Sequence, residues 1–124
     1  MAHLLLVEDE SDIGEPFVEL LTEFGYRVEL IESAEAAIEV LEGTASDLPD
    51  AILTDIRLPG MSGIELMQTV RMNPTWQRIP FICFSASVPP ETKDYLETRV
   101  DVKFIRKPFE ADALLKMIAE VTSR

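Results

Sequence analysis

Short apolar runs rich in strand-forming residues recur at positions 3–7, 26–31, 51–54, 81–84 and 102–105, and the stretches between them carry helical spacing instead. Phe17, Leu20, Leu21 and Phe24 make one apolar stripe, and Ala34, Ala37, Ile38 and Leu41 a second. Ile64, Leu66, Met67 and Val70 follow Gly63 as a third; Ala111, Leu114, Leu115 and Ile118 make the last. Residues 90–99 support one more helix with a thin apolar face. Strict alternation of strand and helix demands parallel strands joined by right-handed crossovers, with helices on both faces of the sheet. The central runs are almost wholly apolar, as strands buried on both faces must be. The expected fold is therefore α/β: a doubly wound five-stranded parallel sheet with about five helices.

Boundary residues agree with that count. Ser11 or Asp12 is placed to cap the first helix, Gly25 to end it, Ser33 to cap the second and Gly43 to follow it. Pro16 is expected near the first turn, where a missing N–H costs little. At 124 residues the chain suits one domain, 1–124, without internal repeat or linker. A formal charge of −12 opposes direct contact with nucleic acid or an anionic membrane surface. The single cysteine, Cys83, lies inside an apolar run and reads as a small buried hydrophobe, and no stretch approaches the ~20 apolar residues of a membrane span. A cytoplasmic protein is expected.

In an open parallel sheet, ligands gather beyond the carboxyl ends of the strands, where strand order reverses. The residues there are Glu8, Asp9 and Glu10 after the first run, Asp55 after the third, Ser85 after the fourth, and Arg106, Lys107 and Pro108 after the fifth. Carboxylates brought together by neighbouring strands either raise one another's pKa or need a cation, and one or two carboxylates with a carbonyl and waters is the usual setting of Mg²⁺. Taken singly, each residue has an ordinary explanation. Residues 8–12 suit a solvated helix-capping loop, Asp55 a strand-end turn, Lys107 a surface position and Ser85 a strand-end hydroxyl. Together they supply a nucleophilic carboxylate, a metal-binding pair, an ammonium and a hydroxyl, which are the parts that phosphoryl transfer requires.

The stretches LLLVEDE (4–10), TDIRLPGMSG (54–63), IPFICFSA (79–86) and FIRKPF (104–109), in that order, resemble the receiver domain of response regulators in two-component signalling. The likeness runs from about Leu4 to the C-terminus. It implies a flavodoxin-like sheet of strand order 2-1-3-4-5. It further implies that Asp55 is the phosphoacceptor, that Asp9 binds Mg²⁺ directly, that Glu8 acts mainly through a metal-bound water, and that Asp55 and the Arg57 carbonyl complete the metal set. Lys107 and Ser85 would bind phosphoryl oxygens, Ser85 and Phe104 would form the switch, and Lys107–Pro108 would be a cis peptide.

Such a chain would be no enzyme beyond catalysing its own phosphorylation and slow dephosphorylation. Its partners would be a sensor histidine kinase or histidine phosphotransfer protein and a downstream protein target, reached as a monomer or a phosphorylation-linked dimer. Some positions depart from the family pattern: Phe104 stands for the more usual tyrosine, and Val100 and Asp101 for a glycine-containing turn. Arg57 and Ser87 fall where the family tunes dephosphorylation. Two other readings compete. A phosphatase of the haloacid dehalogenase type also uses an aspartate and Mg²⁺, but wants an acid where Arg57 stands; a receiver-like adaptor would take no phosphate.

Overall fold

The computed structural model describes residues 2–43, 47–99 and 101–122. Strands β1 (His3–Val7), β2 (Arg27–Ile31), β3 (Ala51–Asp55), β4 (Phe81–Ser85) and β5 (Val102–Arg106) alternate with helices α1 (Ser11–Glu23), α2 (Ala34–Gly43), α3 (Gly63–Met72), α4 (Pro90–Glu97) and α5 (Ala111–Thr122). All four strand pairings are parallel, in the order β2-β1-β3-β4-β5. The chain builds outward from β1 to β2 and then restarts on the other side at β3, so the order reverses between β1 and β3.

Side-chain alternation divides the core into two layers. Leu5, Ile52 and Phe81 share one register row and lie with Val7, Cys83 and residues of α2 and α3. Leu6, Leu53 and Ile82 make the next row on the opposite face, with Leu21 of α1 and Leu114 and Ile118 of α5. Carried past the strand ends, the same alternation puts Glu8, Asp55 and Lys107 in step with the α1/α5 face. Ser85 falls in step with the α2/α3 face.

The ladder continues through Asp55↔Phe84 and Ser85↔Arg106, so β3, β4 and β5 each run one residue beyond the expected apolar stretch. Pairing, rather than apolarity, sets the end of a strand. Tyr26 lies outside β2, where its N–H instead donates to the Leu21 carbonyl at 3.1 Å.

Several local expectations need correction. Neither Ser11 nor Asp12 caps α1: both are already helical, and Glu10 holds the cap position in extended conformation with no side-chain cap bond. The acidic loop therefore turns directly into the helix, with the Ile13 and Gly14 N–H groups donating to the Glu10 carbonyl. Pro16 lies inside the helix, sixth from its start, where it removes the N–H that would bond the Asp12 carbonyl. Phe24 is 61% exposed because it occupies the C-cap beyond the buried stripe. Gly25 does end the helix, in the left-handed region at φ +91°. Ser33 caps α2 by accepting the Ala36 N–H at 3.0 Å, whereas Gly43 is itself helical and does not follow the helix. Helix α4 is short and buries Leu96 alone. Asp101 takes φ +61°, the left-handed geometry for which glycine is the easier choice; Val100 lies outside the described residues.

Gly63, where α3 begins, controls the junction between β3 and the site. A Cβ there would collide with the backbone carbonyl of Asp55 and crowd Ile56, while the Gly63 N–H donates to the Ile56 carbonyl at 3.0 Å. Backbone meets backbone at this point, so no side chain can swing aside. Gly63→Ala is expected to destabilise the protein by about 1–3 kcal/mol in urea titration, the range of an overpacking strain. A loss below about 0.5 kcal/mol would mean that the β3–α3 junction yields.

Candidate functional site

The carboxyl ends of β1, β3 and β5 bring together three residues drawn from almost the full length of the chain. Lys107 Nζ lies 3.1 Å from Asp55 Oδ2 and 3.4 Å from Glu8 Oε1. Its ammonium also rests 4.9 Å from the centroid of the Phe84 ring, which stands next to Asp55 in the ladder. Phe84 packs in turn against Phe17, and Phe17 stacks on Phe109 at 5.5 Å. An aromatic floor thus lies under a charged rim. Burial disfavours the Lys107 ammonium, but hydrogen bonds and charge from Asp55 and Glu8 outweigh it, so its pKa stands above the ordinary lysine value.

Glu8 is 1% exposed, an unusual position for a carboxylate. Burial raises its pKa above the ordinary glutamate value; Lys107 opposes the rise, and the nearby Asp55 charge adds to it. Asp55 presents two differently engaged oxygens, Oδ2 toward Lys107 and Oδ1 accepting the Arg57 N–H at 3.0 Å. Asp9 stands exposed beside Glu8 just ahead of α1. Among the described residues, no three His, Cys, Asp or Glu side chains form a metal cage. The oxygens at this rim are nonetheless of the hard type that suits a cation keeping several of its waters.

Ser85 is buried at the end of β4, but its hydroxyl faces its own loop: it donates to the Ser87 carbonyl at 3.0 Å and accepts the Ser87 N–H at 3.3 Å. Phe104 is half-buried on β5 and borders a cleft of about 550 Å³ with Val88 and Pro90 of the α4 side. The Lys107–Pro108 peptide is cis. Arg57 and Ser87 are both exposed next to the rim.

Two participants carried no sequence signal. Phe84 reads as an ordinary core residue until the fold places a lysine over it. Glu35, in the first turn of α2, accepts the Met61 N–H at 3.1 Å across 26 residues. The start of α3 is different: Ser62 and Glu65 form a reciprocal capping box whose S-x-x-E spacing is visible in the sequence.

Comparison with known proteins accords with this geometry. The profile of the response regulator receiver domain matches residues 4–119. The transcriptional regulatory protein DltR of Streptococcus agalactiae is 36% identical over 116 residues, which are 93% of this chain and 49% of that protein. The chain spans about half or less of the length of the curated relatives it matches. Among solved structures, a response regulator from Chloroflexus aurantiacus aligns with a TM-score of 0.87 at 28% identity, covering 99% of this chain and 98% of its own. The receiver domain of sensor histidine kinase PA1611 from Pseudomonas aeruginosa, with a magnesium ion coordinated in its active-site cleft, aligns with a TM-score of 0.81 at 25% identity, covering 99% and 98%. With the family profile spanning nearly the whole chain and the strand order shared, this protein belongs to the response regulator receiver domain family of two-component signalling.

Proposed function

We propose that residues 1–124 work as one phospho-accepting unit in which Asp55 takes a phosphoryl group from a phosphohistidine of a sensor kinase or phosphotransfer protein. The observation that carries this reading is the engagement of Asp55 itself: one oxygen held by an ammonium, the other by a backbone N–H, beside a buried glutamate. A carboxylate so held is oriented for in-line attack. The new P–O bond forms as the P–N bond to the donor imidazole breaks, the departing nitrogen keeping the electron pair.

Mg²⁺ would be held by Asp9, Asp55 and the Arg57 carbonyl, with Glu8 acting through water, and it would supply positive charge to the phosphoryl oxygens. The raised pKa of Glu8 fits this assignment, since a buried acid beside a second acid is relieved by a cation. The magnesium in the PA1611 receiver supports the same choice. Lys107 would exchange one anionic partner for another as the phosphoryl group arrives. Ser85 would leave the Ser87 carbonyl and donate to a phosphoryl oxygen, and Phe104 would turn into the space beside α4. A phosphate carries about −1.5 to −2 charges, enough to redirect a hydroxyl held by a single loop. The altered α4–β5 surface would then meet a downstream protein in the cytoplasm, while the exposed Arg57 and Ser87 would govern how fast water reaches the phosphoaspartate. Among the described residues, no helix is long and apolar enough to cross a membrane.

Incubation with Mg²⁺ and acetyl phosphate is expected to add one phosphate by intact mass, abolished in Asp55→Asn. Lys107→Ala should slow adduct formation by about 10- to 100-fold, the worth of one charged hydrogen bond. Repeated turnover without a trapped adduct would favour a phosphatase; absence of both adduct and Mg²⁺ effect would favour an adaptor. Mg²⁺ at about ten times its Kd should raise the wild-type Tm by several degrees, and Asp9→Ala should lose that shift.

Glu8 also sets a pH dependence. Its folded-state pKa lies above its unfolded one, so the ionised form costs stability above both values and the cost disappears below both. Without Mg²⁺ at neutral pH, Glu8→Gln is expected to melt about 2–5 °C above wild type. The two curves should converge on acidification below the glutamate range; a gap that persists there would assign the effect to packing.

A further inference from the structure

Between Asp55 and α3, the backbone makes a seven-residue excursion, 56–62, that includes Arg57. Its start is tied to the site, because the Arg57 N–H donates to Asp55 Oδ1 at 3.0 Å. Its end is tied to α3 by the Ser62–Glu65 capping box and by the Gly63 N–H on the Ile56 carbonyl. The middle reaches across to another helix. Met61 N–H donates to Glu35 Oε2 at 3.1 Å, and Gly60, at φ +73°, passes so close that a Cβ would stand 2.5 Å from that same oxygen. Glycine takes the left-handed turn without strain and lets the loop pass close to the carboxylate.

Glu35 is suited to hold a fixed place. It lies in the first turn of α2, where its own backbone N–H and that of Met61 hold its pKa below the ordinary glutamate value. The carboxylate thus accepts hydrogen bonds both from its own helix and from the loop that follows β3.

Resting on the reading of Asp55 and Mg²⁺ given above, we propose that Glu35 is a positioning residue for phosphoryl transfer. It pins the apex of the 56–62 loop and so fixes the Arg57 carbonyl and the Asp55 carboxylate relative to each other, without touching either. Freed at its apex, the loop would keep its ends but sample more conformations, and the cation would meet a carbonyl less well placed.

The test compares Glu35→Ala, Glu35→Gln and Glu39→Ala by Mg²⁺ titration calorimetry and by amide hydrogen exchange of peptides spanning 57–62 without metal. Glu39 is exposed one turn further along α2 and removes the same charge. Glu35→Ala should weaken Mg²⁺ binding by about three- to tenfold and speed exchange at 57–62, as loss of one exposed hydrogen bond would. Glu35→Gln, which keeps an acceptor oxygen, should recover most of both effects, and Glu39→Ala should stay within about twofold of wild type. Unchanged exchange and affinity in Glu35→Ala would overturn the proposal. So would an equal loss in Glu39→Ala, which would mean a general charge effect, or no recovery in Glu35→Gln. A wild-type protein that binds no Mg²⁺ would instead refute the parent reading, and exchange at 57–62 would then still report whether Glu35 holds the loop.

Discussion

Lys107 sits where one cation must answer for two acids. Asp55 and Glu8 converge on its ammonium from β3 and β1, and Phe84 supports it from below. Without that charge, two neighbouring carboxylates, one of them almost wholly buried, would face each other at the end of the sheet. The pairing joins positions 99 residues apart, so it exists only when all the strands between have taken their places. Fold and site thus depend on each other: the sheet gathers the charges, and the ammonium makes the gathering tolerable.

The arrangement is also unfinished. One ammonium does not fully offset the burial of Glu8, whose pKa stays above the ordinary glutamate value, so further positive charge at this rim would be favourable. Ser85, by contrast, is satisfied by its own loop, through the Ser87 carbonyl and N–H. In the reading proposed above, a phosphoryl group arriving at this rim would offer the Ser85 hydroxyl a second acceptor besides the Ser87 carbonyl. Helix α4, beside this rim, has a thin apolar face and buries Leu96 alone.

Much of this was legible in the residues. Alternating apolar runs and helical stripes gave five strands and five helices in the observed order, because burial on both faces leaves a signature in composition and period. The failures were local. Phe24 fits the helical spacing yet lies past the last turn, and Pro16 looks like a first-turn residue only if the helix is assumed to start later than it does. Helix starts depend on which carbonyl accepts the first bond, here that of Glu10, and apolar periodicity says nothing about it.

What the sequence determined by itself was the alternation of strands and helices and the presence of acids, a hydroxyl and a lysine at successive strand ends, since these follow from local period and order along the chain. The tertiary structure alone decided distances. It placed Lys107 between Asp55 and Glu8, slid Phe84 under the ammonium, turned Ser85 toward Ser87, and laid Glu35 against the loop that follows Asp55. Those contacts join segments from 2 to 99 residues apart, and a separation along the chain carries no information about separation in space until the strands have paired.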